Sequence, residues 1–150
     1  MKKEKEEQQE QEVNVLDELS KGTCMGMDAI HFIIDKVKDE DLHNELNRQY
    51  EEYKRIKEEI DELYPEYSDK HPHETGAMNK AMTWYGIEMK TMMDDTTSKL
   101  AELLMQGTNM GIIEGRRLLN KKDDDEQINR LLEEYVSMQE QAVEKLKPFL

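Results

Sequence analysis

The sequence predicts an all-α protein, a four-helix bundle made of two repeated helical hairpins with a long crossover that contains an extra helix. Three observations carry that expectation. Apolar residues recur at alternating three- and four-residue steps along several long stretches, the mark of one buried helix face. Only 7 glycines and 3 prolines interrupt 150 residues, and 37% of the chain is charged, much of it helix-favouring Glu and Lys. One phrase also occurs twice at an offset of 85, as Gly22-Thr23-Cys24-Met25-Gly26 and Gly107-Thr108-Asn109-Met110-Gly111 (107 − 22 = 85). At that offset Lys36 matches Lys121, Asp39 matches Asp124, Asn44 matches Asn129, Leu46 matches Leu131, Tyr50 matches Tyr135 and Glu59 matches Glu144. Self-similarity of this length marks a duplicated helical pair.

Taken in order, residues 1–10 read as a charged, solvated tail, with the bundle occupying residues 11–150. The first stripe is Leu16, Leu19, Thr23, Gly26, Ile30, Ile33 and Val37, and Asp39 is placed to cap the next helix. The second stripe is Leu42, Leu46, Gln49, Tyr53, Ile56, Ile60 and Leu63, and Pro65 ends it by forcing its predecessor out of helical geometry. Repeat 1 is therefore about 11–64, the crossover 65–95 and repeat 2 about 96–150. Within the crossover, residues 65–75 read as loop and residues 76–93 as a Met-rich helix. Thr96 and its neighbours open the third helix, of about 96–121, and Asp123-Asp124-Asp125 open a fourth of about 124–147. Neighbouring helices need only ~2–8 linking residues, so a connection of about 30 predicts a crossover that leaves helices 2 and 3 parallel.

Composition excludes several functions. A formal charge of −14 repels phosphate, which argues against nucleic acid and against anionic membrane surfaces. No apolar run approaches the ~18 residues of a membrane span, and the N-terminus lacks the features of a signal peptide. A single cysteine rules out an internal disulfide. The expectation is a soluble, acidic, cytoplasmic protein.

The repeated phrase falls near mid-helix, where a glycine is about 1 kcal/mol less favourable than alanine. Gly22, Gly26, Gly107 and Gly111 predict a close crossing of helices 1 and 3, with Thr23 and Thr108 bonding the carbonyl one turn back. The alternative is that these glycines leave room for a ligand at mid-bundle. Gln49 interrupts an apolar stripe. With Asn109 and Tyr135 it predicts a buried polar layer that fixes helix register.

The segments Met82-Thr83-Trp84-Tyr85-Gly86-Ile87-Glu88-Met89 and Gln106-Gly107-Thr108-Asn109-Met110-Gly111-Ile112-Ile113 resemble an uncharacterised bacterial, clostridial-type branch of the ferritin-like superfamily. The resemblance spans about residues 12–150 and implies two hairpins joined by a crossover helix that carries Trp84. Ferritin-like enzymes hold two iron ions through a Glu on each of two helices and a Glu-x-x-His on each of the others. The corresponding positions here hold Thr23-Cys24-Met25, Thr108-Asn109-Met110, Gln49/Glu52/Tyr53 and Tyr135/Met138/Gln139. That is not a hard-ligand set, so no cofactor is expected.

Other chemistry-bearing groups are sparse. Asp28-x-x-His31 and Glu40-x-x-His43 read as solvated helix-surface pairs, and Cys24 as a buried structural cysteine. Met78, Met82, Tyr85, Met89 and Met92 form a stripe that fills core, seals a homodimer or meets a protein partner. The leading expectation is thus a non-enzymatic helical module acting by protein interaction or self-association. The alternatives are Cu(I) binding by Met89, Met92, Met93 and Cys24, and a degenerate di-iron site using Asp28, His31, Glu52 and Glu114.

Overall fold

Strong helix formers carry the first helix well upstream of its apolar stripe. In the computed structural model, which describes residues 2–68, 86, 94–121 and 125–150, α1 runs Lys2–Ile34. Residues 2–8 are exposed; Glu, Lys and Gln favour helix on their own, so what reads as a tail is helical from Lys2. Three further helices follow: α2 (Glu40–Leu63), α3 (Thr97–Asn120) and α4 (Glu126–Leu146). The expected Met-rich helix of 76–93, with Trp84, Met89, Met92 and Met93, lies outside the described residues apart from Gly86, which is helical.

Local chemistry sets the boundaries. Asp39 caps α2 by accepting from the Leu42 N–H at 2.9 Å, with Glu40 and Asp41 favourably placed in the first turn. Pro65 sits at the start of a one-turn 3-10 helix, Tyr64–Glu66, that closes α2. Tyr64 before it keeps right-handed helical angles (φ −54°, ψ −42°), so Pro65 ends the α-helix without forcing its predecessor out of helical geometry, contrary to the expectation. Thr96 caps α3 through the Lys99 N–H at 3.3 Å, and Asp125 caps α4 through Gln127 N–H at 2.9 Å and Ile128 N–H at 3.1 Å. Pro148 falls in a second 3-10 turn, Lys147–Phe149, after α4.

Contacts order the helices around the bundle as α1, α2, α4, α3, with α1 and α3 closing the square. Cross-helix pairs fix the directions. Asp17 with Tyr64 and Gly26 beside Tyr53 set α1 antiparallel to α2; Arg55 with Glu134 and Tyr53 with Gln139 set α2 antiparallel to α4; Gly111 beside Gln139 and Gly115 beside Val136 set α3 antiparallel to α4. It follows that α2 and α3 point the same way along the bundle.

The two hairpins bury equivalent positions in two registers. Leu16, Leu19, Thr23, Ile30 and Ile33 of α1 are buried, and so are Ala101, Leu104, Thr108, Gly115 and Leu118 of α3, each 85 positions on (101 − 16 = 85). Leu42, Leu46, Gln49, Tyr53, Ile56 and Ile60 of α2 are buried, and their counterparts in α4 are Ile128, Leu132, Tyr135, Gln139, Ala142 and Leu146, 86 positions on (128 − 42 = 86). The offset changes from 85 to 86 between Leu118 of α3 and Asp125, the cap of α4. The matches read at 85 along α2 and α4, such as Leu46 with Leu131 and Asp39 with Asp124, are therefore one position out of structural register. In the buried register Asp39 pairs with Asp125, Gln49 with Tyr135 and Tyr53 with Gln139.

Two tyrosines tie chain segments at the end of the bundle where α2 stops. The Tyr64 hydroxyl donates to Asp17 Oδ1 of α1 at 2.8 Å, and Tyr67 donates to the Asp125 carboxylate at the start of α4. Tyr64 is 1% exposed; burial and the Asp17 carboxylate push its hydroxyl up to about 12. A phenol whose folded pKa is raised contributes stability that is whole below its unfolded value of about 10 and is lost as pH rises through the folded value. Thermal unfolding followed by circular dichroism should therefore show a melting temperature that falls between about pH 10 and about 12. In Tyr64→Phe the protein should be less stable at pH 7 and should lose part of that alkaline slope.

Candidate binding cavity between helices 1 and 3

The mid-bundle glycines are where the side chains of α2 and α4 reach across. A Cβ added at Gly26 would lie 2.5 Å from two ring atoms of Tyr53, and one at Gly115 would lie 2.6 Å from Val136 Cγ2. The nearest neighbours at Gly22 are the Tyr135 hydroxyl and ring, and at Gly111 the Gln139 amide. Absence of a side chain on α1 and α3 thus admits two tyrosines and a glutamine from the opposite pair of helices. The expected meeting of glycine on glycine is not what these positions touch most closely.

With the glycines occupied from behind, a cavity of about 570 Å³ remains between α1 and α3. That volume falls within the ~300–1,000 Å³ common to small-molecule sites. Gly22, Gly26, Gly107, Gly111 and Gly115 all line it, with Leu19, Ile30, Leu104 and Leu118 as apolar walls. Met25 and Met110 stand on its sides, and Tyr53, Tyr135, Gln49 and Gln139 supply the polar groups. Glu18, Lys21 and Glu114 also border it, and their charges are paired: Lys21 with Glu18 at 3.4 Å and Glu114 with Arg117 at 2.8 Å.

Hydrogen bonds order the polar part of the cavity. Thr108 gives its only hydroxyl proton to the Leu104 carbonyl at 2.7 Å, as Thr23 does to Leu19 at 2.7 Å. Gln139 Nε2 donates to the Tyr53 hydroxyl at 3.3 Å, which links α4 to α2. Gln139 Oε1 is buried with no hydrogen-bond partner among the described residues. Burial raises the pKa of both Tyr53 and Tyr135, whose hydroxyls stay protonated at neutral pH.

Only part of the expected polar layer assembles. Gln49 and Tyr135 are buried at 2% and 3% exposure, whereas Asn109 is exposed on the outside of α3. Helical rotation decides this: Asn109 follows Thr108, and the residue after an inward-facing one turns outward. Tyr53 and Gln139 fill the layer instead. Gln49 bonds along its own helix to Glu45 Oε1 at 3.1 Å rather than to Thr23, Asn109 or Tyr135.

The remaining candidates are scattered. Cys24 is buried at 6% exposure, and His31 is exposed on the α1 surface. Asp28 is half-buried, with its pKa raised by desolvation and tempered by His31. Glu52 pairs with Arg55 at 3.4 Å on α2, away from Glu114 on α3. Among the described residues no three His, Cys, Asp or Glu side chains gather into a metal-holding group, and no helix is long and apolar enough to cross a membrane.

Fold and site together define a class: an all-helical bundle of four packed helices with a largely apolar cavity at mid-height. Comparison with protein families, with curated proteins and with solved structures yields no match to the chain.

Proposed function

We propose that this protein is a non-enzymatic, ferritin-like bundle, built by duplication of a helical hairpin, whose cavity between α1 and α3 binds a small, largely apolar molecule. The observation that carries the binding reading is the cavity of about 570 Å³ lined by glycines of both helices, with methionines beside it. Methionine is flexible and polarizable, which suits a wall that adapts to a guest. The ferritin-like reading is supported by antiparallel neighbours, the parallel α2 and α3, and the long connection between them. The duplication is supported by the two buried registers. The residues at the positions where ferritin-like enzymes bind iron here include Thr23, Thr108, Gln49, Tyr53, Tyr135 and Gln139, groups that hydrogen-bond a guest, with Glu52 as the one carboxylate among them.

Titration with the neutral dye N-phenyl-1-naphthylamine, followed by its fluorescence, tests the binding reading. The expected result is a saturable enhancement with one dye per chain. A linear, unsaturable response, or none, would remove the proposal.

A further inference from the structure

The cavity has a charged end and an apolar end. We infer that its guest is a cationic single-chain amphiphile, a long-chain alkylammonium. Its head lies at the Glu18 and Glu114 end and its chain runs toward Ile30 and Leu104. The inference rests on the binding function proposed above and adds the class and orientation of the guest.

Packing sets the levels along the cavity. Gly22 of α1 and Gly115 of α3 both lie against Tyr135, so they stand at one height. Gly26 lies against Tyr53 and Gly111 against Gln139, and those two side chains are hydrogen-bonded, so this pair marks the next height. Glu18 and Lys21 precede Gly22, and Glu114 adjoins Gly115. All the charged lining residues among those described therefore gather at the Gly22 and Gly115 end. The far end is walled by Ala29 and Ile30 of α1 and by Leu104 and Gly107 of α3, and carries no charge. Thr108 also lines it, but its hydroxyl proton is spent on the Leu104 carbonyl. From Glu18 to Ile30 the cavity follows about 18 Å of α1, a length that suits an extended chain rather than a compact ring.

Charge decides the sign of the head group. Glu18, Glu114 and Lys21 line the charged end of a protein whose formal charge is −14. The pairs Glu18 with Lys21 and Glu114 with Arg117 each join exposed side chains of one helix, an arrangement that is held weakly. A positive head placed between α1 and α3 can therefore draw on both carboxylates. An anionic head would meet the same carboxylates and the field of the whole chain.

Decylammonium, 1-decanol and decanoate share a chain and differ in head charge. Each competes against N-phenyl-1-naphthylamine on the full chain at pH 7, in low salt and below the concentration at which micelles form. Decylammonium should displace the dye at about tenfold lower concentration than decanoate, with 1-decanol between, and added salt should narrow the gap. In the double variant Glu18→Gln, Glu114→Gln the gap should largely close. The double variant Glu133→Gln, Glu144→Gln removes as much charge from exposed positions of α4 outside the cavity and should leave the gap in place. Equal or tighter binding of decanoate, or a gap that responds alike in the two variants, would overturn the inference while leaving the cavity as a binding site. Failure of the dye and of all the probes would overturn the binding function and this inference together.

Discussion

Gly26→Ala should destabilise the protein by about 1–3 kcal/mol, the range for a methyl group forced into packed surroundings. The sign is the informative part. At an unhindered mid-helix site the same exchange stabilises by up to about 1 kcal/mol, because alanine is the better helix former. At Gly26 the new methyl would sit 2.5 Å from Cε1 and Cζ of Tyr53. That ring cannot yield cheaply. It is 3% exposed, and its hydroxyl accepts from Gln139 Nε2 at 3.3 Å. Gly86, which has nothing within 4 Å of an added Cβ, is the control, and Gly86→Ala should be neutral or stabilising. Urea denaturation of the two variants checks both signs. A more stable Gly26→Ala would show that the glycine does not make room for Tyr53.

The largest loss should come from the closed side of the bundle. Leu132 of α4 is fully buried within the apolar cluster that joins all four helices, and Leu132→Ala should be destabilising by about 3–5 kcal/mol. Leu104 of α3 is also buried, at 3% exposure, but it borders the cavity and so has fewer packed neighbours to lose. Leu104→Ala should be destabilising by about 2 kcal/mol, less than Leu132→Ala. Measured by the same denaturation, the reverse order would place the loosely packed region away from α1 and α3.

Much of the bundle was legible because its signals are local. Asp39 before Leu42, Thr96 before the third helix and Pro65 after the second stripe are capping or stopping residues that act within one turn, and each stands at an observed helix boundary. The stripes along α1 and α2 name most of the buried positions, since a 3.6-residue period admits few other readings. The start of α1 was missed because a stripe reports burial, and residues 2–8 are helical yet exposed.

The site was less legible, and for a different reason. Small residues at Gly22, Gly26, Gly107 and Gly111 say that something approaches the backbone, but not whether it is a glycine, a tyrosine or a guest. That depends on which helices are neighbours and how they are turned, which no segment contains alone. Gln139 gave little sign of burial, lying in a Glu- and Gln-rich stretch. A signal did exist: Gln49-x-x-x-Tyr53 on α2 and Tyr135-x-x-x-Gln139 on α4 are the same pair in opposite chain order. The observed bond joins one member of each pair, Tyr53 and Gln139. Reading every match at 85 hid it, because these positions correspond at 86 (135 − 49 = 86).

The central claim, that the space between α1 and α3 is a binding site, is tested most directly by methionine-methyl NMR during titration with N-phenyl-1-naphthylamine. Met25 and Met110 line the cavity, whereas Met27, Met105 and Met138 are not among its walls. The methyl signals of Met25 and Met110 should move together along the saturation curve given by dye fluorescence, with Met27, Met105 and Met138 nearly still. Saturable dye binding that leaves Met25 and Met110 unmoved would contradict the account.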